Sequence, residues 1–282
     1  MAALETLSER LCFGGKVGFY AHRSDATGTR MRFGVFSPPA AAKGPVPVLF
    51  YLAGLECTEE TFLIKAGAVR LAAELGLMLV APDTSPRGAG VEGEDDDWTV
   101  GTGAGFYVDA TEAPWAKHYR MFSYVSAELP DVIAANFAAD PVRRGVFGHS
   151  MGGHGALVLA LRDPDRWRSV SAFAPIANPV AVPWGENAFG KYLGNERHAW
   201  ADYDASLLMA KSPHPGEILV DQGTADPFLE AQLHPDALEA AAAKSGQRLT
   251  LRRHTGYDHS YWFIQSFVAD HLSWHAARLS AN

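Results

Sequence analysis

Short apolar runs alternate along this chain with longer segments of mixed character. Val46 to Leu52 reads Val-Pro-Val-Leu-Phe-Tyr-Leu, and Leu77 to Ala81 reads Leu-Met-Leu-Val-Ala. Runs this short and continuous suit strands buried on both faces of a sheet, where neither face meets water and the polar–apolar alternation is lost. Arg144–Phe147, Val170–Phe173, Ile218–Val220 and Leu249–Arg252 are further strands, and Phe33–Ser37 suits one strand of an N-terminal hairpin. Between these runs the spacing changes. Glu59–Leu75 predicts one helix stopped by Gly76. Phe122–Phe137 predicts a helix that Pro130 kinks or restarts. Gly153–Leu161 and Leu233–Ser245 predict two more, and an apolar helix is expected just after His259.

Strand–helix alternation of this kind predicts a mostly parallel, doubly wound α/β sheet with helices on both faces. Ligands of such sheets sit beyond the carboxyl ends of the strands, so the loops that follow strands are where chemistry is expected. No Pro/Gly/Ser-rich linker, internal repeat or low-complexity tract divides the chain, and residues 1–282 are expected to form one domain.

Composition narrows the function classes. With 24 basic against 32 acidic residues the formal charge is −8, which disfavours nucleic acid or an anionic membrane as partner. No segment approaches the ~18 uninterrupted apolar residues of a membrane helix. Met1–Arg10 carries two Glu and lacks the basic and apolar regions of a signal peptide. Two cysteines, Cys12 and Cys57, do not make a disulfide framework in 282 residues; they read as reduced thiols of a cytosolic protein. Glu92–Asp97 is an acidic run without metal-ligand spacing and reads as a solvated loop. Gly101–Gly105 lacks the Lys-Ser/Thr ending of a phosphate loop; its expected role is to shape the wall around the nucleophile. No metal and no cofactor are assigned.

The strongest local signal is Gly148-His149-Ser150-Met151-Gly152, a G-x-S-x-G match. A strand precedes it and a helix follows it, the placement that a nucleophile elbow requires. Gly148 and Gly152 suit a turn too tight for flanking side chains. The helix N-terminus adds partial positive charge where an oxyanion would develop.

A serine hydroxyl needs a base, and in this architecture the chain order is Ser, then Asp or Glu, then His. Ile218–Val220 is followed by Asp221 and, further along the same loop, Asp226. Asp226 is the better acid, because the loop can turn its carboxylate towards the site. Asp221 is the reserve, with bonding of loop amides as its other role. After Leu249–Arg252 comes Gly256-Tyr257-Asp258-His259, and His259 is the candidate base. His254 lies too early, and His149 and His154 flank the elbow as supports. Two backbone N–H groups are expected to hold the oxyanion: Met151, after the nucleophile, and Leu55, in the Ala53–Thr58 loop that follows Val46–Leu52.

These segments resemble S-formylglutathione hydrolases, the esterase D family. The residues that carry the resemblance are Tyr51-Leu52-Ala53-Gly54-Leu55-Glu56-Cys57-Thr58, the acidic loop ending in Trp98, Gly101 to Thr111, Gly148 to Gly155, Pro175–Pro179, Pro183-Trp184-Gly185 and Gly256–Tyr261. The resemblance covers nearly the whole chain. It implies an α/β-hydrolase fold and hydrolysis of a small-molecule glutathione thioester to formate and glutathione, in a cytoplasmic protein from a family that is often dimeric. It carries the triad onto Ser150, Asp226 and His259 and the oxyanion donors onto Leu55 and Met151. Cys57 falls on the family's cysteine near the active site. Trp184 fits either the core or a substrate pocket. The chain departs from the family's usual Ser and Thr at Ala53 and Glu56, and Glu56 stands close enough to the site to alter substrate preference. Three other readings remain: a general short-chain carboxylesterase or acyltransferase, a non-catalytic binding protein of the same fold, and a cysteine hydrolase using Cys57.

Overall fold

The computed structural model describes residues 4–280. The first three positions of Met1–Arg10, and the two ends of the expected 1–282 domain, lie outside the described residues. Nine strands form one sheet: β1 (Glu5–Cys12), β2 (Gly15–Arg23), β3 (Arg30–Ser37), β4 (Val46–Leu52), β5 (Met78–Pro82), β6 (Ala139–His149), β7 (Ser169–Phe173), β8 (Ile218–Gly223) and β9 (Leu249–His254). Their order across the sheet is β1-β2-β3-β5-β4-β6-β7-β8-β9. The first three strands and β5 pair antiparallel, while β5, β4, β6, β7, β8 and β9 pair parallel. The ten helices among the described residues are α1 (Thr61–Lys65), α2 (Val69–Leu75), α3 (Met121–Ser123), α4 (Leu129–Asn136), α5 (Met151–Arg162), α6 (Pro183–Leu193), α7 (Arg197–Trp200), α8 (Ala205–Lys211), α9 (Pro235–Ser245) and α10 (Tyr261–Ser280).

Strands β5, β7 and β8 are buried along their whole length, and β6 over its last five residues. Helices α5 and α10 both pack across β4, β6 and β7, which places them on opposite faces of the sheet. The helices thus flank the sheet on both sides, as the alternation predicts.

Four elements depart from the sequence reading. The Glu59–Leu75 helix is two helices, because Gly67 takes a left-handed backbone (φ 68°) that no right-handed helix passes through. The Gly76 stop is present, with φ 67°. Phe122–Phe137 is interrupted by a π-type turn over Tyr124–Glu128, and Pro130 sits in the first turn of the restarted α4. Strand β6 begins five residues before the predicted Arg144, through a polar half that no hydrophobic pattern reveals. Strand β1 is largely exposed and carries Glu5, Glu9 and Arg10, which suits an edge strand protected from further pairing.

The topology locates the site. The chain lays β5 on one side of β4, then crosses over to lay β6 on the other. Strand order reverses there, and the crevice beyond the carboxyl ends of β4 and β6 is the binding position of such sheets.

Candidate active site

Strand β6 ends at His149, α5 starts at Met151, and Ser150 is the single residue between them. Its backbone is left-handed (φ 58°, ψ −120°), a conformation that costs a non-glycine residue of order 1–3 kcal/mol and persists only when its surroundings fix it. They do: the Ser150 N–H donates to Phe173 O at 3.0 Å. The turn closes so tightly that a Cβ on Gly152 would stand 2.0 Å from Leu52 O, and one on Gly148 2.3 Å from Gly152 O. Both positions demand glycine.

Beside the elbow runs the loop after β4. A Cβ on Gly54 would lie 3.2 Å from Ser150 Cβ, so the loop backbone passes directly over the serine. It is braced on every side. Ala53 O accepts from Tyr107 Oη at 2.9 Å, and Glu56 N–H donates to Gly103 O at 3.0 Å. Cys57 O accepts from Thr84 Oγ1 at 2.7 Å and from Arg87 Nη2 at 3.1 Å. Within this braced loop the Leu55 N–H has no acceptor among the described residues. Met151 N–H, the first of α5, has no intrahelical acceptor either. Of these two amides, that of Met151 follows Ser150 in the chain and that of Leu55 belongs to a residue lining the same cavity.

Asp226 and His259 come from the loops after β8 and β9. His259 Nδ1 donates to Asp226 Oδ2 at 2.5 Å. Phe228 N–H donates to Oδ1 of the same carboxylate at 2.9 Å, and Gln222 Nε2 approaches Oδ2 at 3.3 Å. The Asp226 side chain is fully buried and that of His259 is 14% exposed. With Nδ1 committed to the carboxylate, Nε2 is the ring's free basic nitrogen. Ser150 and His259 line the same cavity. No hydrogen bond joins them in this structure; such contacts often tighten only around a bound substrate.

That cavity is about 230 Å³ and mostly apolar. Trp184, Trp98 and Phe228 form its aromatic side, with Trp184 edge-on to Trp98 at 5.4 Å and tilted against Phe228 at 4.7 Å. Trp184 is thus both buried and a cavity wall, which joins the two roles the sequence leaves open. Cys57 and His149 line the cavity as well. Burial pushes the Cys57 thiol up, against the opposing pull of Thr61 and Lys65. Burial, with His259 next to it, holds His149 well below the ordinary histidine range, and the two rings lie 4.3 Å apart.

Asp221, the reserve acid, is not at the site, nor does it bond loop amides through its carboxylate. It accepts from Arg252 Nε and Nη2 at 2.6 and 2.7 Å and stands 3.3 Å from His271 Nε2. Burial works to raise its carboxyl, but His271 and Arg252 outweigh that and hold it at about 2. The Gly101–Gly105 segment also differs from expectation: it lines no part of the cavity and instead braces the oxyanion-side loop through Gly103. Its own hold comes from Tyr192 Oη and Ser85 Oγ, which accept from the N–H groups of Gly101 and Gly103. Asp97, in the acidic run, accepts from Thr99 N–H and from Asn187 Nδ2 and so fixes the loop that presents Trp98. Tyr107 and Phe228 are site residues that the sequence reading gives no role. Tyr107 sits in a left-handed conformation (φ 51°) that no pattern announces.

The arrangement is that of a serine hydrolase, and known proteins match it throughout. The esterase family model matches residues 24–274. The S-formylglutathione hydrolase of Paracoccus denitrificans (strain Pd 1222) is 54% identical over 277 residues, 98% of this chain and 99% of the relative. That of Mus musculus is 52% identical, covering 99% and 100%. A solved structure of an S-formylglutathione hydrolase from Agrobacterium tumefaciens superposes with a TM-score of 0.96 at 50% identity, covering 98% of this chain and 100% of that one. The chain belongs to the S-formylglutathione hydrolase family of esterases.

Proposed function

We propose that this enzyme hydrolyses S-formylglutathione to formate and glutathione through a formyl ester on Ser150. The observation that carries the reading is the Asp226–His259 hydrogen bond, set in the same cavity as a strained serine and the loop residue Leu55. Ser150 Oγ attacks the formyl carbon while His259 Nε2 takes its proton. Asp226 keeps the imidazole in the productive tautomer and stabilises the imidazolium. The Leu55 and Met151 N–H groups donate to the oxyanion, each such donor being worth ~3 kcal/mol. The C–S bond breaks, and glutathione leaves with the proton from His259. Water, deprotonated by His259, attacks the ester carbon; formate leaves and Ser150 recovers its proton. Formyl is the smallest acyl group, and the Trp184–Phe228 wall suits an enzyme that needs almost no acyl pocket. Names of the relatives and their near-complete coverage support the same substrate. A cytoplasmic place suits two free thiols.

Ser150→Ala is expected to lower kcat on S-formylglutathione by about 10⁴-fold or more; hydrolysis surviving in that variant rejects the mechanism. The rival is a general short-chain carboxylesterase or acyltransferase with the same triad. Comparison of kcat/KM for S-formylglutathione and 4-nitrophenyl acetate separates them, preference for the acetate favouring the rival. A non-catalytic binding protein would fail to label with a fluorophosphonate at Ser150.

A further inference from the structure

The reaction cavity is too small for the whole substrate. Sites that enclose a ligand of tripeptide size run to roughly 300–1,000 Å³, and the cavity over Ser150 is about 230 Å³ with aromatic walls. Only the thioester and its nearest atoms fit beside Trp184 and Phe228, so the rest of the glutathionyl group has to leave along the surface. A second cavity of about 500 Å³ adjoins it, and Ser260 and Tyr261 line both. Its other lining residues are Ile64, Lys65, Trp262 and Gln265. They come from the end of α1 and the first turns of α10.

Three features make this groove unlike ordinary surface. Trp262 is 75% exposed and Ile64 66% exposed, and adjoining exposed apolar groups of this size mark a contact site. The groove is built before anything occupies it: Gln265 Nε2 donates to Lys65 O at 2.6 Å and ties α10 to α1. Trp262 N–H donates to Ser260 Oγ at 3.2 Å, and Ser260 Oγ in turn donates to Asp258 Oδ1 at 2.6 Å. A contact surface already held in place loses little freedom on binding. Finally, Lys65 is the one Lys or Arg lining either cavity, and its ammonium forms no ion pair among the described residues. It stands 6.0 Å from the centre of the Tyr261 ring.

The occupant follows from charge. Glutathione bound through sulfur presents two carboxylates and one ammonium, and is a net anion at neutral pH. The chain carries −8 overall, and the acidic run leads to Trp98, which lines the reaction cavity with Trp184 and Phe228. An unpaired cation on one side only gives the peptide a direction. We propose that the Ile64–Lys65–Trp262–Gln265 groove holds the glutathionyl part of the substrate, with Lys65 the countercharge for one peptide carboxylate and Trp262 and Ile64 its apolar rim. This rests on the substrate reading above. It makes Lys65 a determinant of thiol-side specificity with no part in the chemistry.

The test uses the full chain and two substrates. The readout is the ratio of kcat/KM for S-formylglutathione to that for 4-nitrophenyl acetate, which has no peptide arm. S-methylglutathione serves as an unreactive inhibitor of acetate hydrolysis. Lys65→Glu is expected to lower the ratio about tenfold and raise the S-methylglutathione inhibition constant about tenfold, while Lys65→Arg keeps both within about threefold. Trp262→Ser is expected to lower the ratio as well. If the wild type prefers S-formylglutathione but Lys65→Glu leaves ratio and inhibition within twofold, the groove assignment is wrong and the substrate reading stands. If the wild type prefers the acetate, both are wrong. If Trp262→Ser converts a dimer to a monomer in sedimentation and leaves the ratio intact, the patch belongs to a second copy of the chain and the proposal is overturned.

Discussion

In the proposed mechanism Asp226 acts on the chemistry only through the imidazole it holds, so its loss belongs in the rate. Asp226→Asn keeps the shape and one acceptor oxygen facing His259 Nδ1, but it removes the charge that fixes the tautomer. We expect kcat to fall by about 10⁴-fold with KM little changed; a drop below tenfold in steady-state assays would remove Asp226 from the triad. Cys57 makes a contrasting case. It lines the cavity, yet burial pushes its thiol up, so little thiolate exists at neutral pH. Iodoacetamide should therefore inactivate slowly at pH 7 and faster with each pH unit up to and beyond 9, and Cys57→Ser should stay active and resist the reagent. Loss of activity in Cys57→Ser would revive a cysteine hydrolase. The placement of these residues was readable from sequence to the extent that chemistry dictates it. Ser150, Asp226 and His259 follow from a turn motif and a chain order. Asp221 was harder, because its partners Arg252 and His271 arrive from β9 and α10 and no local spacing shows them. Tyr107 escaped entirely, since its bond to Ala53 O spans 54 positions of sequence.

At the scale of elements, the site is held by two turns with no room for side chains. Gly152→Ala would place a Cβ 2.0 Å from Leu52 O, a backbone atom of the central strand β4, which cannot yield as a flexible side chain would. Strand β4 or helix α5 must shift, so we expect a loss of about 3 kcal/mol or more in urea unfolding, together with loss of fluorophosphonate labelling. Normal stability in Gly152→Ala would mean the elbow is looser than described. Most of the elements that carry the site were legible. The buried strands β4, β5 and β7 lie within a residue of their apolar runs, because burial on both faces leaves a continuous signature, and β8 starts on its run and extends three residues past it through Asp221–Gly223. The polar start of β6 and the exposed β1 carry no such signature. The break between α1 and α2 was hidden for another reason: Gly67 reads as tolerable inside a helix, and only its left-handed backbone and the tie from Gln265 to Lys65 O reveal the turn. That hidden break brings Lys65 to the rim of the site.

For the molecule as a whole, the buried histidines set the response to acid. His149, His154, His271 and His275 are all buried, and burial lowers the pKa of each. His154 is the clearest, pushed from 6.5 down to about 4 although its Nε2–H donates to Phe106 O at 3.0 Å. Between those two values the unfolded chain binds a proton that the folded chain does not. Stability therefore rises with pH across the window and is lost as pH falls through it. For His154 alone the loss amounts to about 3 kcal/mol between pH 6.5 and 4. Asp221 contributes in a different range: held at about 2 against an ordinary 3.8, its share of stability persists above 3.8 and disappears only as pH drops towards 2. A fall in stability between pH 6.5 and 5 thus reports histidines and not this ion pair. Urea unfolding followed by tryptophan fluorescence at pH 7, 6 and 5 should show a steady decline. His154→Gln, whose amide can still donate to Phe106 O, should show a shallower one, at some cost in packing at pH 7. A wild-type unfolding free energy that stays flat from pH 7 to 5 would mean these imidazoles gain protons inside the fold, and the dry, neutral base beneath the elbow would have to be given up.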